Sequence, residues 1–130
     1  MIVKKHKKQR PKNLNLFTIR LPINAVVSIL HRVTGVVLFL IQPWLLWSLY
    51  LSLSSPIRYA QVITQFQQWP YKLVATGLAA AFVHHFYAGI RHLAMDVHWM
   101  TTLQKARFSS RVVLGLVAFT MVWVTWLIWG

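Results

Sequence analysis

The chain has 130 residues, 57% of them hydrophobic, and sets 14 Lys and Arg against a single acidic residue, Asp96. That balance excludes an ordinary soluble domain, whose surface mixes both signs of charge to stay hydrated. It also argues against nucleic acid as the anionic partner: seven Trp, seven Phe and long apolar runs leave no polar groove for it, and lipid headgroups fit the basic excess better.

Residues 1–20, MIVKKHKKQRPKNLNLFTIR, carry seven Lys or Arg. They lack the compact apolar core before a small-residue cleavage site that marks a secretory signal, and they show no amphipathic Arg/Ser pattern of a mitochondrial transit peptide. The expectation is a basic tail on the cytoplasmic side of a bacterial membrane. An apolar stretch follows over 21–53. It exceeds the roughly 20 residues needed to cross about 30 Å of hydrocarbon. Because Val33–Leu53 alone suffices, the portion from Leu21 to Arg32 is expected to continue the helix through the headgroups, which keeps the Arg32 cation out of the bilayer centre.

Residues 54–70 form an outer loop in which Pro56 and Pro70 bracket Tyr59, Val62, Ile63 and Phe66 at helical spacing, the pattern of a short helix lying on the membrane. A second span is predicted over 71–95, a cytoplasmic loop over 96–111 and a third span over 112–130. Arg91, Lys105, Arg107 and Arg111 flank the second loop, against only Arg58 and Lys72 in the outer one. By the positive-inside rule the N-terminus and the second loop are cytoplasmic, and Trp123, Trp126 and Trp129 belong to the far interfacial belt. The predicted fold is therefore an all-α, multi-pass integral membrane protein with three transmembrane helices.

Chemistry concentrates in two places that this topology brings to one side. In SILHRVTG, residues 28–35, the residues Ser28, His31, Arg32 and Gly35 lie at three-, four- and seven-residue steps on one helical face. A guanidinium and a hydroxyl there offer donors to a ligand. The same residues are also compatible with headgroup anchoring and close helix packing. In HHFYAGIRHLAMD, residues 84–96, His85, Gly89, His92 and Asp96 form a second stripe. Ionisable residues on one face of a membrane helix point to a bundle interior or a cofactor rather than to lipid.

A haem asks for an imidazole on a rigid helix, a small residue where the flat macrocycle approaches, and cations near its propionates. His85 and Gly89 supply the first two, with His85 about 15 Å from the cytoplasmic helix end. His92, about 10 Å further along the axis, suits the propionates rather than the iron, and His31 and Arg32 meet them there. His84 competes for the ligand role, but it is turned about 100° away from the stripe. The chain contains no Cys, so any haem is held noncovalently. The alternative is that these imidazoles only hydrogen-bond neighbouring helices.

RPKNLNLFTIRLPINAVVSILHRVTG resembles the N-terminal signature of the cytochrome b subunit of succinate dehydrogenase: R-P, a spacer, then S-I-x-H-R-x-[TS]-G. The second signature of that family, a His, three residues, G-I-R-H-L and then an acidic residue, is matched by His85, Gly89-Ile90-Arg91-His92-Leu93 and Asp96. The likeness covers nearly the whole chain. It implies a membrane-anchoring electron-transfer subunit in a bacterial inner membrane, working with a flavoprotein, an iron-sulfur protein and a second hydrophobic anchor. The complex oxidises succinate within the tricarboxylic acid cycle and reduces ubiquinone, while the isolated chain does not oxidise succinate.

The resemblance further implies haem b with His85 as one axial ligand and a His of the sister anchor as the other, Ser28 and Arg32 at the ubiquinone site, and His31 and Arg32 near the propionates. Asp96, as the only carboxylate in the chain, is read as a proton relay, or as a docking residue paired with Arg91, Arg107 or an arginine of the iron-sulfur subunit. The dearth of further acids between Asp96 and Ser110 departs from a carboxylate-lined proton path. Three readings compete: a fumarate reductase anchor, a membrane cytochrome acting without dehydrogenase subunits, and a haem-free assembly protein.

Overall fold

A computed structural model describes residues 20–130; the basic tail, apart from Arg20, and the first part of the N-terminal signature lie outside the described residues. The order of elements is α1 (Ile23–Ser54), α2 (Pro56–Gln67), α3 (Trp69–Asp96) and α4 (Leu103–Trp129). α1, α3 and α4 have 32, 28 and 27 residues and are long and apolar enough to span a membrane. At 1.5 Å per residue they measure about 48, 42 and 40 Å, enough to cross the hydrocarbon and continue into the headgroups on at least one side. The protein is an all-α, multi-pass membrane protein.

Prolines punctuate the helices where their missing N–H is harmless. Pro22 precedes α1, Pro56 opens α2 behind Ser55, whose Oγ accepts from the Arg58 N–H at 3.2 Å, and Pro70 sits in the first turn of α3. Pro43 lies inside α1; it leaves one carbonyl without its helical donor, yet the helix runs on, as spanning helices tolerate when neighbours compensate.

The sequence reading differs from the structure most between the second and third spans. Residues 96–111 are not a loop throughout. A tight turn joins α3 to α4, which begins at Leu103, so LQKARFSSR is helical. Charge ends a hydrophobic run, but Lys, Gln, Ala and Arg are good helix formers and continue the helix into water. The turn holds two non-glycine residues in the left-handed region, His98 (φ 61°) and Met100 (φ 62°), an arrangement costing of order 1 kcal/mol each.

α3 is the middle helix, packed along α1 on one face and α4 on another, while α2 closes over one end of α1 and α3. Val27, Ala88 and Val113 form the buried centre, with Tyr87, Leu114 and Val117 against them. Large apolar side chains such as Phe39, Leu40, Phe119, Val122 and Trp126 point outward. Small residues inside and large ones outside is the arrangement of helices that pack closely in lipid. Polar latches join α3 to α4 along their length: Tyr87 and Thr120 share a hydrogen bond of 3.0 Å, Trp129 Nε1 donates to Thr76 Oγ1 at 3.0 Å, and Lys72 Nζ lies 5.8 Å from the centre of the Trp129 ring.

Candidate functional site

The 3.6-residue period divides α3 into two polar stripes about 100° apart. The stripe carrying His85, Gly89 and His92 faces α1. There the His85 Nδ1 lies 3.0 Å from the carbonyl oxygen of His31 and 3.4 Å from Thr34 Oγ1. A carbonyl only accepts, and the Thr34 hydroxyl is within donating distance of the carbonyls of Leu30 (2.8 Å) and His31 (3.0 Å), so the proton sits on His85 Nδ1. This bond fixes the tautomer and leaves the Nε2 lone pair available.

Packing holds the ring as firmly as the hydrogen bond does. The His31 and His85 rings stack with centroids 4.1 Å apart and planes within 10°, and His92 joins them at 4.9 Å from His31. A methyl added at Gly35 would stand 3.0 Å from His85 Cε1, whereas one at Gly89 would make an ordinary 3.5 Å contact with His31 Nε2. The space beside Gly89, read from the sequence as room for a macrocycle, is thus taken by the His31 ring, and Gly35 is the glycine that the imidazole requires.

On the same seam, Ser28 is half-buried and Arg32 exposed, one helical turn apart on α1. Asp96 is exposed at the end of α3. The pairing of Asp96 with Arg91 that the sequence allowed is not the arrangement found, because Arg91 turns to α4: its Nε donates to Ser109 Oγ at 3.0 Å and its Nη2 to the Ala106 carbonyl at 3.4 Å.

Arg91 therefore belongs to the second stripe, with His84 and Ala88, all three buried against the rest of the bundle. Sequence reasoning took Arg91 as a flanking cation and a partner for Asp96, although its seven-residue step from His84 and three-residue step from Ala88 was a readable signal of this stripe. His84 is 6% exposed, and neither of its ring nitrogens has a partner. Enclosed in this way, His84 is closed to an approaching macrocycle, whereas the His85 nitrogen opposite its anchored Nδ1 makes no hydrogen bond to any described residue.

Residues 6–124 match the family model described as the succinate dehydrogenase/fumarate reductase transmembrane subunit. The chain belongs to this family. Among curated relatives it is similar to the succinate dehydrogenase cytochrome b556 subunit of Coxiella burnetii, at 34% identity over 107 residues that cover 81% of this chain and 85% of that one. It is similar also to the cytochrome b556 subunit of Paracoccus denitrificans (30% identity, 82% of each chain). The cytochrome b560 subunit of Reclinomonas americana shares 27% identity over 92% of this chain and 85% of its own length. Membership spans the seam and both long helices that build it, and the relatives are named for succinate dehydrogenase rather than for fumarate reductase.

Proposed function

We propose that this chain anchors a succinate dehydrogenase in a bacterial inner membrane, contributes one axial ligand to haem b, and forms part of the site where ubiquinone is reduced. The observation that carries the haem reading is the His85 geometry: an imidazole locked at Nδ1 by a backbone carbonyl and a threonine hydroxyl, with Nε2 as its remaining donor atom. Among the described residues no three His, Asp or Glu side chains converge as a chelating cluster. A porphyrin brings four nitrogens of its own, so one rigid imidazole suits it where a bare ion would need more.

In this reading haem, when bound, supplies a one-electron redox centre. The residues of this chain do the rest. His85 would hold the haem iron, from a helix whose orientation is fixed by packing. His31 stacks on His85 and excludes water from its face, and His92 extends the imidazole row toward the cytoplasmic end, where Arg32 offers a cation to propionates. A second imidazole for the haem would come from a sister anchor, and the succinate-oxidising chemistry would belong to the flavoprotein and iron-sulfur subunits.

Ser28 and Arg32 stand one turn apart at the mouth of this seam. A hydroxyl and a guanidinium so placed donate to a quinone carbonyl and stabilise the negative charge that grows on its oxygen as electrons arrive; oriented donors in a water-poor site act strongly because they need no reorganisation. Protons then reach the quinone oxygen at the cytoplasmic edge, where exposed Asp96 is either a relay or a docking residue for the iron-sulfur subunit.

The test of the haem reading is the reduced-minus-oxidised absorption spectrum of the purified complex. Wild type is expected to show bands of a low-spin, bis-imidazole haem, and His85→Leu to lose them while the four subunits still assemble. An unaltered bis-imidazole signal in assembled His85→Leu complex refutes the assignment.

A further inference from the structure

The cleft between the cytoplasmic halves of α3 and α4 lies away from the His85 seam and is untouched by the function proposed above. It has a volume of about 350 Å³, and its walls are almost wholly apolar, with Ile90, Ala94, Phe108, Val112 and Leu116 among them. From Phe108 to Leu116 it extends about 12 Å along α4. The strained turn bends Trp99 and Met100 over its cytoplasmic end.

Arg91 lines the cleft and is 6% exposed. Its two hydrogen bonds go to neutral oxygens, those of Ser109 and Ala106, and use Nε and Nη2, leaving Nη1 without a partner among the described residues. A buried guanidinium in the last two turns of a spanning helix with no carboxylate beside it calls for an anion. The one acid of the chain, Asp96, is exposed at the helix end. Two further cations, Arg107 and Arg111, stand exposed on the neighbouring face of α4, on either side of Phe108, which lines both faces.

An apolar slot with a buried cation in its wall and two exposed cations on the adjoining face fits a molecule that is a hydrocarbon chain at one end and an anion at the other. We infer that the α3/α4 cleft is a binding site for one anionic phospholipid, an acyl chain lying between Ile90, Ala94 and Leu116 and the phosphate meeting Arg107 and Arg111 on the adjoining face, within the field of the buried Arg91 charge. Basic pockets between spanning helices on the cytoplasmic side have the electrostatics for such recognition. The site stands independently of the haem and quinone assignments, since none of their residues lines it.

The test uses the intact complex, extracted in mild detergent, washed with phosphatidylcholine micelles and analysed by native mass spectrometry for retained lipid. Wild type is expected to keep one phosphatidylglycerol or other anionic phospholipid per copy of this chain. Ala94→Phe fills the slot without altering a charge and is expected to lower retention about tenfold, equivalent to ~1.4 kcal/mol, with haem content and succinate oxidation unchanged. The double variant Arg107→Gln, Arg111→Gln is expected to lower it severalfold. Equal retention in Ala94→Phe and wild type overturns the site, as does wild type that keeps phosphatidylcholine as tightly as phosphatidylglycerol or keeps no lipid at all.

Discussion

Replacing Gly35 with alanine tests the imidazole seam at its tightest point. The new methyl would stand 3.0 Å from His85 Cε1, so ring and helix must separate by about 0.4 Å to reach ordinary contact, a small-to-large change costing typically 1–3 kcal/mol in a packed interior. The ring cannot swing aside freely, because Nδ1 is bound to the His31 carbonyl and one face is stacked on the His31 ring. Against this, alanine gains roughly 0.5–1 kcal/mol over glycine in a helix interior, leaving a net loss of order 1–2 kcal/mol at the seam. The matching change Gly89→Ala meets His31 Nε2 only at 3.5 Å and is expected to be neutral or slightly stabilising. The assay is haem per assembled complex after detergent washing, together with the thermal midpoint: Gly35→Ala should lose haem about tenfold more readily than wild type, and Gly89→Ala should not. The reverse order, with Gly89→Ala losing haem and Gly35→Ala keeping it, would refute the structural placement of the two glycines.

Arg32→Ala is expected to abolish quinone reduction by the complex while succinate oxidation with an artificial acceptor persists; unchanged quinone turnover removes Arg32 from the site. His84→Leu replaces a buried imidazole with two unpartnered nitrogens by an apolar side chain, which should leave the haem spectrum intact and leave stability unchanged or raise it by about 1 kcal/mol, read as the thermal midpoint of the complex. Ser109→Ala strips the acceptor from Arg91 Nε and is expected to cost about 1–3 kcal/mol, visible as a lower midpoint with normal haem content. Tyr87→Phe breaks the bond to Thr120 and should cost less, about 0.6 kcal/mol, the average worth of such bonds between membrane helices.

The three spans were legible because length and hydrophobicity are imposed by the bilayer and need no knowledge of packing. The stripe on α3 was legible too, since His85, Gly89 and His92 repeat at helical steps. What stayed hidden depended on which helix each stripe meets. Nothing in HHFYAGIRH says that α4 lies against Arg91, and a cation near a helix end reads as an anchor until Ser109 and the Ala106 carbonyl are seen beside it. The start of α4 at Leu103 was missed because hydropathy marks where hydrocarbon begins, not where a helix does. Similarly, Gly35 and Gly89 carry equal weight in the sequence, and only the position of the His85 and His31 rings separates their roles.

The two stripes of α3 also account for how one spanning helix keeps so much polarity. His85 and His92 meet α1, where a carbonyl, a threonine hydroxyl and a third imidazole receive them. His84 and Arg91 are buried on the other stripe, and only neutral oxygens from α4 are on offer to Arg91. The first stripe is satisfied within the helix pair, while the second leaves a positive charge with no carboxylate beside it among the described residues. A chain with one carboxylate cannot neutralise that charge itself. On the inference drawn above, the anion comes from outside the chain, and the apolar walls on either side of Arg91 favour one that brings hydrocarbon with it.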